Sequence, residues 1–227
     1  MAALRPEQAR LALVAVTNAA VTEASQLVSQ NAAQTRQALF DVIPSTIAYY
    51  SDGSSALAAD YYDDLRQDAS AAGRFRADPV VNLRWGGQGE EKIRTGILWA
   101  VAPLLDEVPD QALSVSRVGD VVQLETARPF RDTITTNRRR DPSAVGWQRV
   151  AAGGCKFCRF LAGRGEVYRE SSARFASHPH CRCTAVPVFH EHQGDEVDVL
   201  KYVASKRRAS RTPKQRQEIR ELLASMP

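Results

Sequence analysis

Gly153-Gly154-Cys155-Lys156-Phe157-Cys158, followed after nineteen intervening residues by His178-Pro179-His180-Cys181-Arg182-Cys183, is the stretch that organises this chain. It contains all 4 cysteines of the 227-residue sequence. In a Cys-x-x-Cys turn the backbone folds back on itself, so that two thiolates can grip one ion, and the preceding glycines permit the tight geometry. The second half of the stretch supplies the remaining ligands. His178 with Cys181 makes a His-x-x-Cys pair; Cys181 with Cys183, in an extended segment, share one face because strand side chains alternate with period two. Zinc accepts either set, since it takes thiolate and imidazole and wants four ligands in a structural role. The metal-ligand candidates are therefore Cys155, Cys158, His178, Cys181 and Cys183, with the reading favouring Cys155, Cys158, His178 and one of the last two.

Disulfides and ordinary buried thiols are the competing readings. A reducing compartment argues against the first. A thioredoxin-like redox pair lacks its surrounding βαβ pattern. His190 and His192, in Phe189-His190-Glu191-His192, are read as solvent-facing polar residues after a strand, and His180 as a turn residue.

Upstream of this stretch the pattern is helical. Residues 6–28 are rich in Ala, Leu, Val and Gln, with Leu11, Val14, Ala15, Asn18 and Val21 near a 3.6-residue period and Pro6 suited to a first turn. Residues 32–49 repeat the pattern, with Pro44 as an expected kink. Ser51, Asp52, Gly53 and Ser54 are expected to break the chain before a third segment, residues 55–71, which has an acidic flank at Asp60, Asp63 and Asp64. Residues 71–82 read as a loop, 90–105 as a helix, and 111–139 as a long helix interrupted near Gly119 and Pro129. Residues 147–150 read as a short strand. Downstream, Thr212-Pro213 fits the start of a final helix over 215–226.

The fold class is thus α+β. A helical region (1–141) precedes a small Cys/His-pinned module with short strands (142–194), and a basic tail carrying a helix (195–227) closes the chain. Apolar residues at 44% and charged residues at 25% permit a sizeable core. The uninterrupted apolar runs fall well short of the ~20 residues a transmembrane helix needs, so no membrane span is expected. The N-terminus makes a poor signal peptide, and cytoplasmic synthesis is expected. The formal net charge of +4 is concentrated in Arg138, Arg139 and Arg140 and in a tail cluster that includes Lys206, Arg207 and Arg208, which are candidates for meeting phosphate or an acidic partner.

Arg138-Arg139-Arg140, Asp141-Pro142, Gly146-Trp147-Gln148-Arg149-Val150, Cys155-x-x-Cys158, Gly165 and the closing His178-Pro179-His180-Cys181-Arg182-Cys183 together resemble the phage Mu F-like minor head proteins, especially those of tailed phages infecting actinobacteria. The strong part of the resemblance covers about a quarter of the chain. It implies a minor capsid or head morphogenesis protein in the virion, acting in procapsid assembly or DNA packaging beside portal, scaffold or major capsid protein. It implies a structural rather than an enzymatic role, with no small-molecule substrate.

Two other functions compete. A DNA-binding virion protein would lay the basic clusters along phosphates, with affinity falling steeply in salt. A capsid maturation protease would need a catalytic constellation, yet there is no Gly-x-Ser-x-Gly elbow, no His-Glu-x-x-His, and no histidine before position 178. On the assembly reading, zinc stabilises the small module by itself, and losing Cys155 would leave the upstream helices largely intact.

Overall fold

The computed structural model describes residues 6–31, 36–80, 88–151, 156–163, 181 and 183–189. Within them lie five α-helices and a two-stranded sheet, in keeping with the α+β expectation: α1 (Pro6–Asn31), α2 (Arg36–Asp68), α3 (Gln88–Val101), α4 (Gln111–Arg140), β1 (Gly146–Val150), α5 (Lys156–Gly163) and β2 (Thr184–Val188). A short 3₁₀ turn, Ala102–Leu105, extends α3.

Two buried clusters run along the bundle. One joins Ala20, Ala24 and Val28 of α1 to Leu39, Ile43 and Ile47 of α2, Ile93 and Ile97 of α3, and Val118 and Val122 of α4. The other joins Ala9 and Leu13 to Tyr61, Tyr62, Phe130, Ile134, Trp147, Ala185 and Val186. The start of α1 thus meets the ends of α2 and α4, so α1 runs antiparallel to both. The second cluster also continues past residue 141 into both strands, and the sheet shares its apolar interior with the helices.

The buried stripe of α1 is Ala9, Leu13, Thr17, Ala20, Ala24 and Val28, whereas Leu11, Ala15 and Asn18 face outward. The period expected from sequence is present, but it was centred on the wrong face. Small residues win that face because α1 is pressed between α2 and α4, where close approach matters more than side-chain bulk. The Thr17 hydroxyl is satisfied within the helix by the carbonyl oxygens of Leu13 and Val14, both at 3.0 Å. Residues 6–30 are long and apolar enough, by length and composition alone, to cross a membrane, a test that the core helix of a bundle also passes. Here the buried stripe serves the bundle core.

Three expected breaks are absent. α2 runs straight through Ser51–Ser54, with Ser51, Ser54 and Ser55 buried and Asp52 and Gly53 exposed. Positions 47, 51, 54, 55, 58, 61 and 62 form one helical face, and packing of that face overrides the turn preference of its serines. α4 likewise continues past Gly119 and Pro129 to Arg140. Pro129 removes one backbone donor, but it is buried beside Phe130 and Arg131, and tertiary contacts hold the helix on either side. At Gly119 a β-carbon would stand 3.5 Å from Val21, an ordinary contact distance, so the glycine marks where α1 and α4 touch rather than a break.

Candidate metal centre

Antiparallel pairing of β1 with β2 sets Val150 opposite Thr184, Arg149 opposite Ala185 and Trp147 opposite Pro187. That register brings Cys181 and Cys183, which lead into β2, beside the end of β1. The first turn of α5 delivers Cys158 to the same spot. The sulfurs of Cys158, Cys181 and Cys183 all lie within 4.8 Å of one another, and each residue is only 1% exposed. The Cys158 and Cys181 sulfurs are 4.0 Å apart. A disulfide needs ~2.05 Å, and these three residues form none. Zinc–sulfur bonds of ~2.3 Å arranged tetrahedrally place sulfurs ~3.8 Å apart, so the spacing suits thiolates sharing one ion.

Both Cys181 and Cys183 therefore join Cys158, the completion that the spacing allowed beside the favoured set with one of the two. Cys155, His178, Lys206, Arg207 and Arg208 lie outside the described residues, as do His180, His190 and His192. The donor set that is described is soft thiolate, the chemistry that selects zinc over magnesium or calcium.

The surroundings are cationic. Arg131 of α4 is fully buried, and its guanidinium donates from Nε to the Cys183 carbonyl oxygen at 3.0 Å and from Nη2 to the Cys181 carbonyl oxygen at 2.7 Å. Gln123 Nε2 donates to the same Cys181 oxygen at 3.0 Å. Arg149 of β1 is buried as well, and its charge reaches Cys183. Cys181 is the thiol pulled far below its ordinary range, by hydrogen bonds from Cys158 and Cys183 and then by Arg131, against the effect of burial. Cys158 moves up for the complementary reason, as donor to its two neighbours in a buried site. Neither buried arginine was singled out from sequence. The signal available was weak: an arginine one residue after an apolar Phe130, and another inside the strand Gly146–Val150.

The basic triplet is largely engaged within the fold. Arg138 is half-buried and donates to the Val145 carbonyl oxygen at 2.8 Å, and burial lowers its pKa from the usual arginine value. Arg139 donates to the Thr136 hydroxyl at 3.1 Å, and Arg140 pairs with Asp78 at 2.6 Å.

A second polar network fastens the loop after α2. Asp141 accepts from Arg66 Nε at 2.9 Å and from Tyr62 at 3.3 Å through Oδ2, and from the Ser143 N–H at 3.0 Å through Oδ1. Asn137 exchanges two hydrogen bonds with the backbone of Asp78, at 3.0 and 2.8 Å. Asp63 accepts from the Ala77 N–H at 2.9 Å. The acidic flank of α2 is therefore partly structural.

No curated protein and no solved structure matches the chain. The family model described as VG15 protein matches residues 1–205, a span that takes in the whole helical bundle and the cysteine cluster. The chain belongs to the VG15 protein family, a family of phage proteins.

Proposed function

We propose that this phage protein is a minor capsid or head morphogenesis protein of the virion. On this reading it acts in procapsid assembly or DNA packaging by docking on portal, scaffold or major capsid protein, and it is not an enzyme. Its metal centre is a structural zinc held by Cys158, Cys181 and Cys183, with the fourth ligand supplied by Cys155 or His178.

The observation that carries this reading is the burial of the three thiols. A catalytic zinc keeps one position open to water and substrate, whereas a structural zinc is closed on all sides. Ligands that are 1% exposed and backed by a helix suit the closed kind. Family membership supports the phage setting, and the resemblance to minor head proteins supplies the finer assignment.

Docking has a candidate surface at the opposite end of α4. Trp99, Leu105 and Val108 are 52%, 57% and 83% exposed, and they flank the connection from α3 into α4. Exposed apolar residues grouped in this way suit a protein partner. DNA binding by Arg138, Arg139 and Arg140 is the weaker reading, because Arg138 is half-buried against the Val145 carbonyl and only Arg139 and Arg140 are exposed.

The test is co-expression with the portal, scaffold and major capsid proteins of the same phage, followed by sedimentation of procapsids. The protein is expected to co-sediment at a fixed stoichiometry, and its omission to reduce the yield of heads or of packaged DNA. Normal heads assembled and filled without it would defeat the assignment.

A further inference from the structure

We propose that the metal–thiolate cluster formed by Cys158, Cys181 and Cys183 is the counter-charge of Arg131, so that metal occupancy is coupled to the stability of the whole helical bundle and not only of the C-terminal segment. This rests on the zinc reading above and goes beyond it. A metal that stabilises only its own module would leave the helices indifferent to its removal.

The coupling is built from position and charge. Arg131 is 1% exposed, and its neighbours on α4 are Phe130 and Ile134 of the second core cluster. A guanidinium keeps its proton even there, and a buried cation is costly without compensating negative charge. Its two described hydrogen bonds go to the backbone of two metal-ligand candidates, Cys181 and Cys183. As thiolates, those two cysteines favour the charge of Arg131, as Asp132 does, while buried Arg149 opposes it. Three thiolates around a divalent ion leave one negative charge in excess before the fourth ligand is counted, placed against two buried arginines. The metal pins that charge beside Arg131, and Arg131 in turn holds Cys181 and Cys183 in place for the metal. By linkage the effect is reciprocal: what the metal does for the bundle, the bundle does for metal affinity.

The full chain is purified under reducing conditions, and its zinc content is measured directly. Helical melting is then followed by circular dichroism, with zinc and after chelation, for the wild type and for Arg131→Met. The wild-type helical transition is expected to fall by several degrees on chelation, the fall to be much smaller in Arg131→Met, and zinc affinity in that variant to weaken about 10- to 100-fold. Arg131→Lys, which keeps the charge, is expected to restore most of the zinc-dependent shift. A wild-type helical transition that ignores zinc removal overturns the proposal, and so does an equal fall in Arg131→Met.

Hydrogen exchange along α4 of the wild type provides the same test without any variant. Amides around residue 131 are expected to exchange faster once zinc is removed, and unchanged exchange overturns the proposal. A chain that takes up no zinc overturns the zinc reading itself and this proposal with it, an outcome the metal analysis separates from the others.

Discussion

Arg131 donates to the carbonyl oxygen of Cys181 at 2.7 Å, joining residues fifty positions apart in sequence. The thiol cluster is thus seated on the central helix through its backbone carbonyls as well as through the charge of its sulfurs. A cysteine substitution removes a ligand and leaves the seat.

Cys158→Ser is accordingly expected to keep its helical circular dichroism at low temperature while losing tight zinc. Elemental mass spectrometry should show one zinc per chain in the wild type and a small fraction of that in the variant. Thiols that react equally fast in both proteins, before any chelator is added, would count against a shared ion.

Asp141 is completely buried and accepts from Arg66, Tyr62 and Ser143. Asp141→Ala leaves the Arg66 guanidinium, whose side chain is 11% exposed, with carbonyl acceptors but no paired negative charge, and is expected to cost about 3 kcal/mol. Asp141→Asn keeps an acceptor and should cost less. Urea unfolding of the two variants provides the measurement, and equal costs would show that charge is irrelevant at this position.

Alkaline pH should expose the two buried tyrosines of α2. Burial raises the pKa of Tyr61, and burial together with the charge of Asp141 raises that of Tyr62, both from the ordinary 10.0. A proton held more tightly in the fold than in the unfolded chain gives stability that is fully present below pH 10 and lost as pH climbs above it. Absorbance titration should find Tyr61 and Tyr62 silent until the protein unfolds, whereas reversible ionisation of every tyrosine in the native state near pH 10 would refute this.

Gly53 lies on the exposed side of α2, and a β-carbon placed there meets nothing within 4 Å. Gly53→Ala should therefore stabilise the protein by about 1 kcal/mol, through the lower conformational freedom of alanine in a helix. An unchanged or lower melting temperature would mean that residues 51–54 have a role beyond continuing the helix.

Trp99→Glu combined with Val108→Asp places charges at the exposed end of α3 and α4. The fold should tolerate both, since neither residue belongs to a buried cluster. Incorporation into procapsids should drop at least tenfold while melting temperature stays within a few degrees. Full incorporation would move the docking surface elsewhere.

Much of this could be read from the chain alone. Helical periodicity set the helix-rich region, Trp147 to Val150 read as a strand, and the cysteine spacing marked Cys158, Cys181 and Cys183 as partners, because those patterns arise from local geometry. Ser51–Ser54, Gly119 and Pro129 read as breaks because local preference is all that a sequence displays. Packing of Ile47, Ser51, Ser54 and Ala58 along one face outweighs that preference by far. Which face of α1 is inside was equally hidden, since small residues become favourable only when two other helices close on them. Arg131 and Arg149 could not be recognised as neighbours of the thiols, because arginine normally signals surface. Only the tertiary structure shows them buried: the strand register and the course of α4 bring charges far apart in sequence into one interior, where the low dielectric makes each depend on the other.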